Sequence, residues 1–378
     1  MNTWKQTELM RRLDLSLPLV QGPFGGGLSA AELAAAVSEA GGLGSFGVHH
    51  LDAAGIAATA AAIRQRTARP FALNLWIPFE GSDAASADDA QFAAWLAPLQ
   101  PYFDELGVAP PQRPARYSPA YAEQVEAVLA ARPAVFSFVY GIPSADILAR
   151  CRDLGIFTLG AATTPDEAVA LEQAGVDGVV ASGFEAGGHR VSFLRPAEES
   201  LTGTLALVPQ VADAVRVPVV AAGGIADGRG IAAVLALGAQ AAQIGTGFLA
   251  CRESGTSDLH RRALLGPQAR DTGLTRAFSG RLARGIRNRF MRELAAQPVA
   301  PYPQQNWLTA RLRPAATAQG RADLMSLWCG QSAPLLATPD APEATFPAAA
   351  DYIARLMRET AAAVQRLENG VRFTSPKG

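Results

Sequence analysis

The chain has 378 residues, 49% of them hydrophobic and 18% charged, with a formal net charge of −1. That composition supports a large core, excludes wholesale disorder, and argues against nucleic acid or an anionic membrane surface as partner. Lysine occurs only at Lys5 and Lys377, which excludes a Schiff-base aldolase, a pyridoxal-phosphate enzyme and a Walker-type loop, since each needs a lysine in the body of the chain.

The N-terminal stretch MNTWKQTELMRRLDLSLPLV scatters its charges and has no apolar core ahead of a cleavage site. It is not a secretory signal, and no run in the chain reaches the apolar length of a membrane span, so a cytoplasmic protein is expected. Cys151, Cys251 and Cys329 are odd in number and widely spaced, which points to reduced thiols rather than a disulfide framework or a metal pair.

Short β-rich runs then recur along the chain: LPLVQGPF (17–24), GLGSFG (42–47), FALNLW (71–76), AVFSFVYG (134–141), IFTLGAA (156–162), GVVASGF (178–184), PVVAAGGI (218–225) and AAQIGTGFL (241–249). Continuous apolar runs ending in glycine suit strands buried on both faces, as in a parallel sheet. Helix-start chemistry lies between them. Ser29 to Glu32 reads as a capping box, Thr164 to Glu167 repeats it with Pro165 at the first helical position, and Asp227 caps the helix after the seventh strand. Eight such units predict an α/β fold, a (β/α)8 TIM barrel of about 250 residues, with an open doubly wound sheet as the rival.

The expected organisation is a barrel over 1–265 carrying a helical insertion at about 77–131, a helical cap or lid and substrate-pocket segment over 266–342, and a closing amphipathic helix and tail over 343–378. Glycines cluster after the first, sixth and seventh strands and in the eighth (GPFGGGLS, GFEAGGH, AAGGIADG, QIGTGF). In a barrel these all fall at the C-terminal mouth. Loops after the last two strands commonly cradle phosphate there, making Gly223, Gly224, Gly245 and Thr246 the candidates. GGGLSA and GTGFLA also match a dinucleotide fingerprint. The first has only Asp52, several residues late, for the required acid, and the second has no βαβ unit behind it.

These motifs together carry a resemblance. GFEAGGHR, VPVVAAGGIADGRGIAAVLALGAQAAQIGTGFLAC and NLWIP are similar to those of the nitronate monooxygenase family, formerly called 2-nitropropane dioxygenases, which are FMN-dependent barrel enzymes. The resemblance covers roughly 15–265 and extends weakly into APYPQQNWLTARLR and SLWCGQ. It implies FMN across the barrel mouth. Asn74 would hydrogen-bond the flavin ring, and Phe24 and Gly25 would pack near it. Gly187, Gly224, Gln243, Gly245 and Thr246 would hold the ribityl-phosphate region, and His189 would be the catalytic residue. Relatives commonly carry glutamine where Ser182 stands, and HRVSF replaces a more usual glycine after the histidine. Without interior lysines, positive charge near the flavin must come from arginine, histidine or a helix end.

The implied reaction is oxidative denitrification of alkyl nitronates or nitroalkanes with O2. Neutral His189 would remove an α-proton; protonated, it would donate to a nitronate oxygen. The alternative keeps the barrel and FMN but takes hydride from NAD(P)H to reduce an enoyl thioester or a quinone. Expected partners are a small-molecule substrate and O2, with a homodimer allowed and no metal. Glu185 is read as bracing its loop through backbone N–H groups, His49 and His50 as a solvated loop, His260 as helix surface, and Tyr140 and Tyr302 as candidate substrate-pocket residues.

Overall fold

The computed structural model describes Trp4, residues 6–78, 88–336 and 346–369. The eight apolar runs form β1 (Leu19–Gln21), β2 (Gly44–Gly47), β3 (Phe71–Trp76), β4 (Val135–Val139), β5 (Phe157–Ala162), β6 (Gly178–Ser182), β8 (Val219–Ala222) and β9 (Ala241–Ile244) of one parallel sheet. A two-residue strand, β7 (Gly188–His189), lies outside it. Neighbouring strands pair in parallel all the way from β2 through β3, β4, β5, β6, β8 and β9 to β1. The ring then closes, because the Gln21 amide donates to the Leu43 carbonyl at 2.9 Å and the Leu43 amide to the Leu19 carbonyl at 2.9 Å. The architecture is a (β/α)8 barrel.

Strand alternation sorts the core into two layers. Ala72, Val135, Leu159, Val180 and Val220 point inward and pack with Leu9, Met10 and Leu13 of the helix Glu8–Leu13, which plugs the N-terminal end of the ring. Leu73, Phe136, Phe138, Val179 and Ala221 point outward into the helical shell. The opposite, C-terminal end is open.

Two helix starts form as their sequences predict. Thr164 accepts from the Glu167 amide at 3.2 Å, and Asp227 accepts from the amides of Arg229 and Gly230 at 3.0 and 3.2 Å. Glu167, however, reaches the Thr163 amide (2.6 Å) rather than its own cap residue. It also takes the Phe193 amide (2.6 Å), so it fastens the segment that follows His189. The Ser29–Glu32 capping box is not made. Ala30 is the cap residue and has no side-chain bond. Ser29 instead donates to the Phe24 carbonyl at 2.6 Å and folds the glycine-rich loop onto itself, while Glu32 pairs with Arg66. The eighth apolar run ends as a strand at Ile244, and Thr246–Leu249 is a helical turn.

Helices Asp89–Leu96, Gln100–Leu106 and Tyr121–Ala131 occupy the long connection between β3 and β4. Beyond the ring, β10 (Thr272–Thr275) and β11 (Ala283–Ile286) form an antiparallel pair, and β11 also pairs with β7, placing Ala283 opposite His189. Short helices from Arg289 to Ala318 follow. The amphipathic helix Ala349–Glu368 lies against the helix Gly228–Ala236 so closely that a Cβ on Gly228 would sit 2.2 Å from the Thr360 nitrogen. Cys151, Cys251 and Cys329 are free and buried. No helix among the described residues is long and apolar enough to cross a membrane.

Candidate active site

The open end of the ring holds a cavity of about 860 Å3, within the range of small-molecule and cofactor sites. Every residue singled out in the sequence for cofactor, substrate or catalysis lines it: Phe24, Gly25, Asn74, Tyr140, Ser182, Gly187, His189, Gly223, Gly224, Gln243, Gly245, Thr246 and Tyr302.

His189 arrives by way of GFEAGGH. Gly188, at φ +75° and with open space where a Cβ would stand, takes a backbone conformation that side-chain-bearing residues rarely adopt. The chain turns there and enters β7, and the cap strand β11 holds the histidine backbone. The loop behind it is braced by Glu185, which accepts from both the amide (2.9 Å) and the hydroxyl (2.9 Å) of Thr204, so one of the two donors is a side chain rather than a backbone group. Arg190, 2% exposed, donates to the carbonyls of Gly183 (2.7 Å), Ser182 (2.9 Å) and Ser200 (3.3 Å). The departure HRVSF therefore has a structural use: its arginine staples the end of β6 to the loop.

The His189 ring stands between two indoles, 5.0 Å from Trp76 and 5.3 Å from Trp328, and its Nε2 is 2.7 Å from Ser279 Oγ. Burial, and then the positive charges of Arg281 and Arg313, push its pKa down to about 3. Both effects favour the neutral imidazole at physiological pH. Nδ1 makes no hydrogen bond to any described residue.

His49 corrects the expectation of a solvated loop. Its ring stacks on Trp76 at 3.8 Å and 10° and faces the cavity, while His50 stays exposed at the mouth. Burial holds the His49 pKa well below the ordinary value, with His50 and His189 adding to the shift. His260 is likewise no surface residue. It is 2% exposed, lines the cavity and bonds the Trp328 carbonyl at 3.0 Å. The dinucleotide fingerprints dissolve at the same time. Gly25 is glycine because a Cβ would sit 2.0 Å from His49 Cε1, Gly247 because one would sit 2.1 Å from the Tyr352 hydroxyl, and Asp52 caps the helix Ala53–Arg64.

Tyr140 and Tyr302 flank Trp76 at 5.1 and 5.4 Å, and the Arg281 guanidinium lies over both rings, 3.9 and 5.3 Å from their centres. Trp76, Trp328, Ser279, Arg281 and Arg313 were not singled out in the sequence. Only Trp76 carried a signal: two residues after Asn74 on one strand, it shares Asn74's face.

On the same strand as Trp76, Asn74 Nδ2 donates to Ser137 Oγ at 3.0 Å, and its side-chain oxygen makes no hydrogen bond to a described residue. The amides of Gly224, Gly245 and Thr246 donate to no other described residue. A Cβ on Gly245 would meet nothing nearer than Phe24 at 3.7 Å. Open amide donors at the rim of one cavity can receive anionic oxygens.

The family model for nitronate monooxygenase matches residues 7–343. A probable nitronate monooxygenase of Staphylococcus aureus (strain Newman) is 38% identical over 338 residues, 89% of this chain and 94% of that protein. Nitroalkane oxidase from Streptomyces ansochromogenes is similar in structure, with a TM-score of 0.85 at 39% identity over 95% of this chain and 99% of the other. FabK from Thermotoga maritima gives 0.73 at 26% identity over 96% and 99%. A barrel whose open end carries the GFEAGGH histidine, matched over nearly its whole length in sequence and in structure, is an oxidoreductase of the monooxygenase type, and the chain belongs to the nitronate monooxygenase family.

Proposed function

We propose that the cavity binds FMN and that the chain oxidises alkyl nitronates, and nitroalkanes by way of them, with O2, His189 acting directly on the substrate. The observation that carries this reading is a neutral imidazole fixed by Ser279 between two indoles, with Nδ1 left unpartnered at the wall of the cavity.

The residues present fit the cofactor. Gly224, Gly245 and Thr246 would hold the phosphate through their amides, with Gly187, Gly223 and Gln243 alongside. Asn74, Phe24, Gly25 and Ser182 would face the ring system. Ser182 is shorter than the glutamine common in relatives, and its carbonyl is already engaged by Arg190, so its hydroxyl is what it offers. Bound FMN supplies one-electron chemistry and reactivity with oxygen, which no side chain provides.

The protein's own part is proton handling and containment. With Nε2–H donated to Ser279 Oγ, the lone pair at Nδ1 accepts the α-proton of a nitroalkane, leaving the nitronate. A nitronate supplied as such needs no proton removed. Trp76, Trp328, Tyr140 and Tyr302 wall the site with apolar surface and limit water around the anion.

The test is an absorption spectrum of the purified protein followed by oxygen uptake with a panel of nitronates and nitroalkanes. A flavin spectrum with uptake that collapses for nitroalkanes in His189→Asn, cofactor retained, is expected. A colourless protein, or full turnover in that variant, overturns the reading. Rapid bleaching of the flavin by NADH or NADPH without oxygen would favour the reductase alternative.

A further inference from the structure

A neutral His189 raises a problem of charge. A nitronate is an anion, and the imidazole beside it carries no positive charge to meet it. Among the described residues lining the cavity there is no aspartate, glutamate or lysine, and only one formal charge, on Arg313.

Arg313 lies in the short helix Leu312–Ala318 of the segment that follows the barrel. Its Nη2 donates to the carbonyl and to the side-chain oxygen of Asn306, both at 2.9 Å, and its Nε approaches the Thr309 carbonyl at 3.5 Å. All three acceptors are neutral. Nη1 has no acceptor, and no carboxylate pairs with this guanidinium, among the described residues. Burial pushes its pKa down to about 10, with only Tyr302 acting to raise it, so it is protonated at neutral pH. It lines the same cavity as His189, and its charge is among those that depress the histidine. Arg281 acts on the same histidine, but its guanidinium is stacked on Tyr140 and Tyr302 and does not line the cavity. A half-buried cation with an open donor, and no counter-ion among the described residues, is a site that an anion completes.

We propose that Arg313 is the anion-recognising residue of the substrate cavity: it binds the O–N–O end of a nitronate through Nη1 and sets the preference for the anionic nitronate over the neutral nitroalkane. The guanidinium is fastened through Nη2 to Asn306, with Nε near the Thr309 carbonyl, and Nη1 is the nitrogen that would meet the ligand. Division of labour follows. His189 handles the proton, and Arg313 holds the charge that proton removal creates.

This rests on the nitronate reading above, and the test separates the two. Nitrate is a planar anion with an O–N–O edge and cannot be turned over. Its binding to the FMN-loaded protein is followed by quenching of tryptophan fluorescence, since Trp76 and Trp328 line the cavity. Nitrate is expected to bind the wild-type protein and His189→Asn alike. It should bind Arg313→Gln about tenfold or more weakly, the loss of a charge-assisted hydrogen bond, and Arg313→Lys should recover part of the affinity. In turnover, Arg313→Gln should raise KM for a nitronate by a similar factor with kcat little changed, while KM for the matching neutral nitroalkane stays within about twofold. Equal nitrate binding by Arg313→Gln, no nitrate binding by the wild type, equal rises in both KM values, or loss of FMN from the variant would each overturn the assignment. If the wild type oxidises no nitro compound, the nitronate reading fails, and the nitrate titration still decides what Arg313 binds.

Discussion

Nε2 of His189 lies 2.7 Å from Oγ of Ser279, and that same oxygen sits 3.3 Å from both the amide and the carbonyl of Arg281. The chain of bonds has a direction. If the serine hydroxyl donates to the Arg281 carbonyl, its lone pair receives Nε2–H, and the imidazole is locked in the tautomer whose Nδ1 is a base. Ser279→Ala should therefore lower kcat for a nitroalkane by about tenfold, the scale of one buried hydrogen bond. It should leave nitronate oxidation nearly unchanged, because no proton is removed there, and Ser279→Thr should restore the rate. Steady-state oxygen uptake with a matched nitroalkane and nitronate checks this; equal losses on both would mean that Ser279 supports the wall and not the proton transfer.

The depressed His189 pKa gives a pH prediction of definite sign. The base form is the neutral ring, and burial beside two arginines keeps it neutral down to about pH 3. Activity on nitroalkanes should accordingly stay flat as pH falls from 8 through the usual histidine range near 6.5, and drop only well below pH 5. A kcat/KM profile with an acid limb at 6 to 7 would show that the histidine titrates normally and that burial does not depress it.

A different part of the pH response belongs to stability. His260 is 2% exposed, and burial pushes its pKa down to about 4. The unfolded chain binds this proton near pH 6.5 and the folded one only near 4, so stability is full above 6.5 and is lost progressively as pH falls between those values. The slope approaches about 1.4 kcal/mol per pH unit for one histidine, and His49 and His189 contribute in the same direction. Urea unfolding of wild type and His260→Gln at pH 7 and pH 5 should show a smaller acid loss in the variant. An equal loss would mean that the Trp328 carbonyl holds His260 protonated in the folded state.

The sequence was most informative where one periodicity decides the outcome. Each barrel strand is an apolar run because both faces are buried, and every glycine cluster falls at the open end because strands β1, β6, β8 and β9 all point there. Legibility fails wherever a residue's surroundings come from far along the chain. Ser279 is 90 positions from His189 and joins it only because β11 pairs with β7. Arg313 and Trp328 lie beyond the repeating strand–helix units, where no βα beat places them. His49 looked like a loop residue since nothing local announces that Trp76 will stack on it. The two fingerprint-like motifs misled for a related reason: Gly25 and Gly247 are small to admit a ring from another element, which a pattern of glycines cannot distinguish from room for a pyrophosphate.

The cradle can be tested at Gly245 more cleanly than at Gly224. Gly224 has φ +69°, so any side chain there strains the backbone, and lost cofactor could reflect lost structure. Gly245 has φ −101°, which every residue tolerates, and a Cβ would enter open space with only Phe24 at 3.7 Å. A valine at 245 would therefore occupy the recess that its own amide and those of Gly224 and Thr246 surround, without disturbing the ring. Gly245→Val should weaken FMN binding by at least about tenfold, since filled volume displaces a well-fitted group and leaves amide donors unpaired. The apoprotein should unfold within about 0.5 kcal/mol of wild type, as at positions where substitution touches no packed neighbour. Fluorescence titration with FMN alongside urea unfolding of both apoproteins measures the two effects separately. An unchanged dissociation constant would move the phosphate away from this rim, whereas joint loss of affinity and stability would show that the loop after β9 is packed more tightly than its open Cβ position implies.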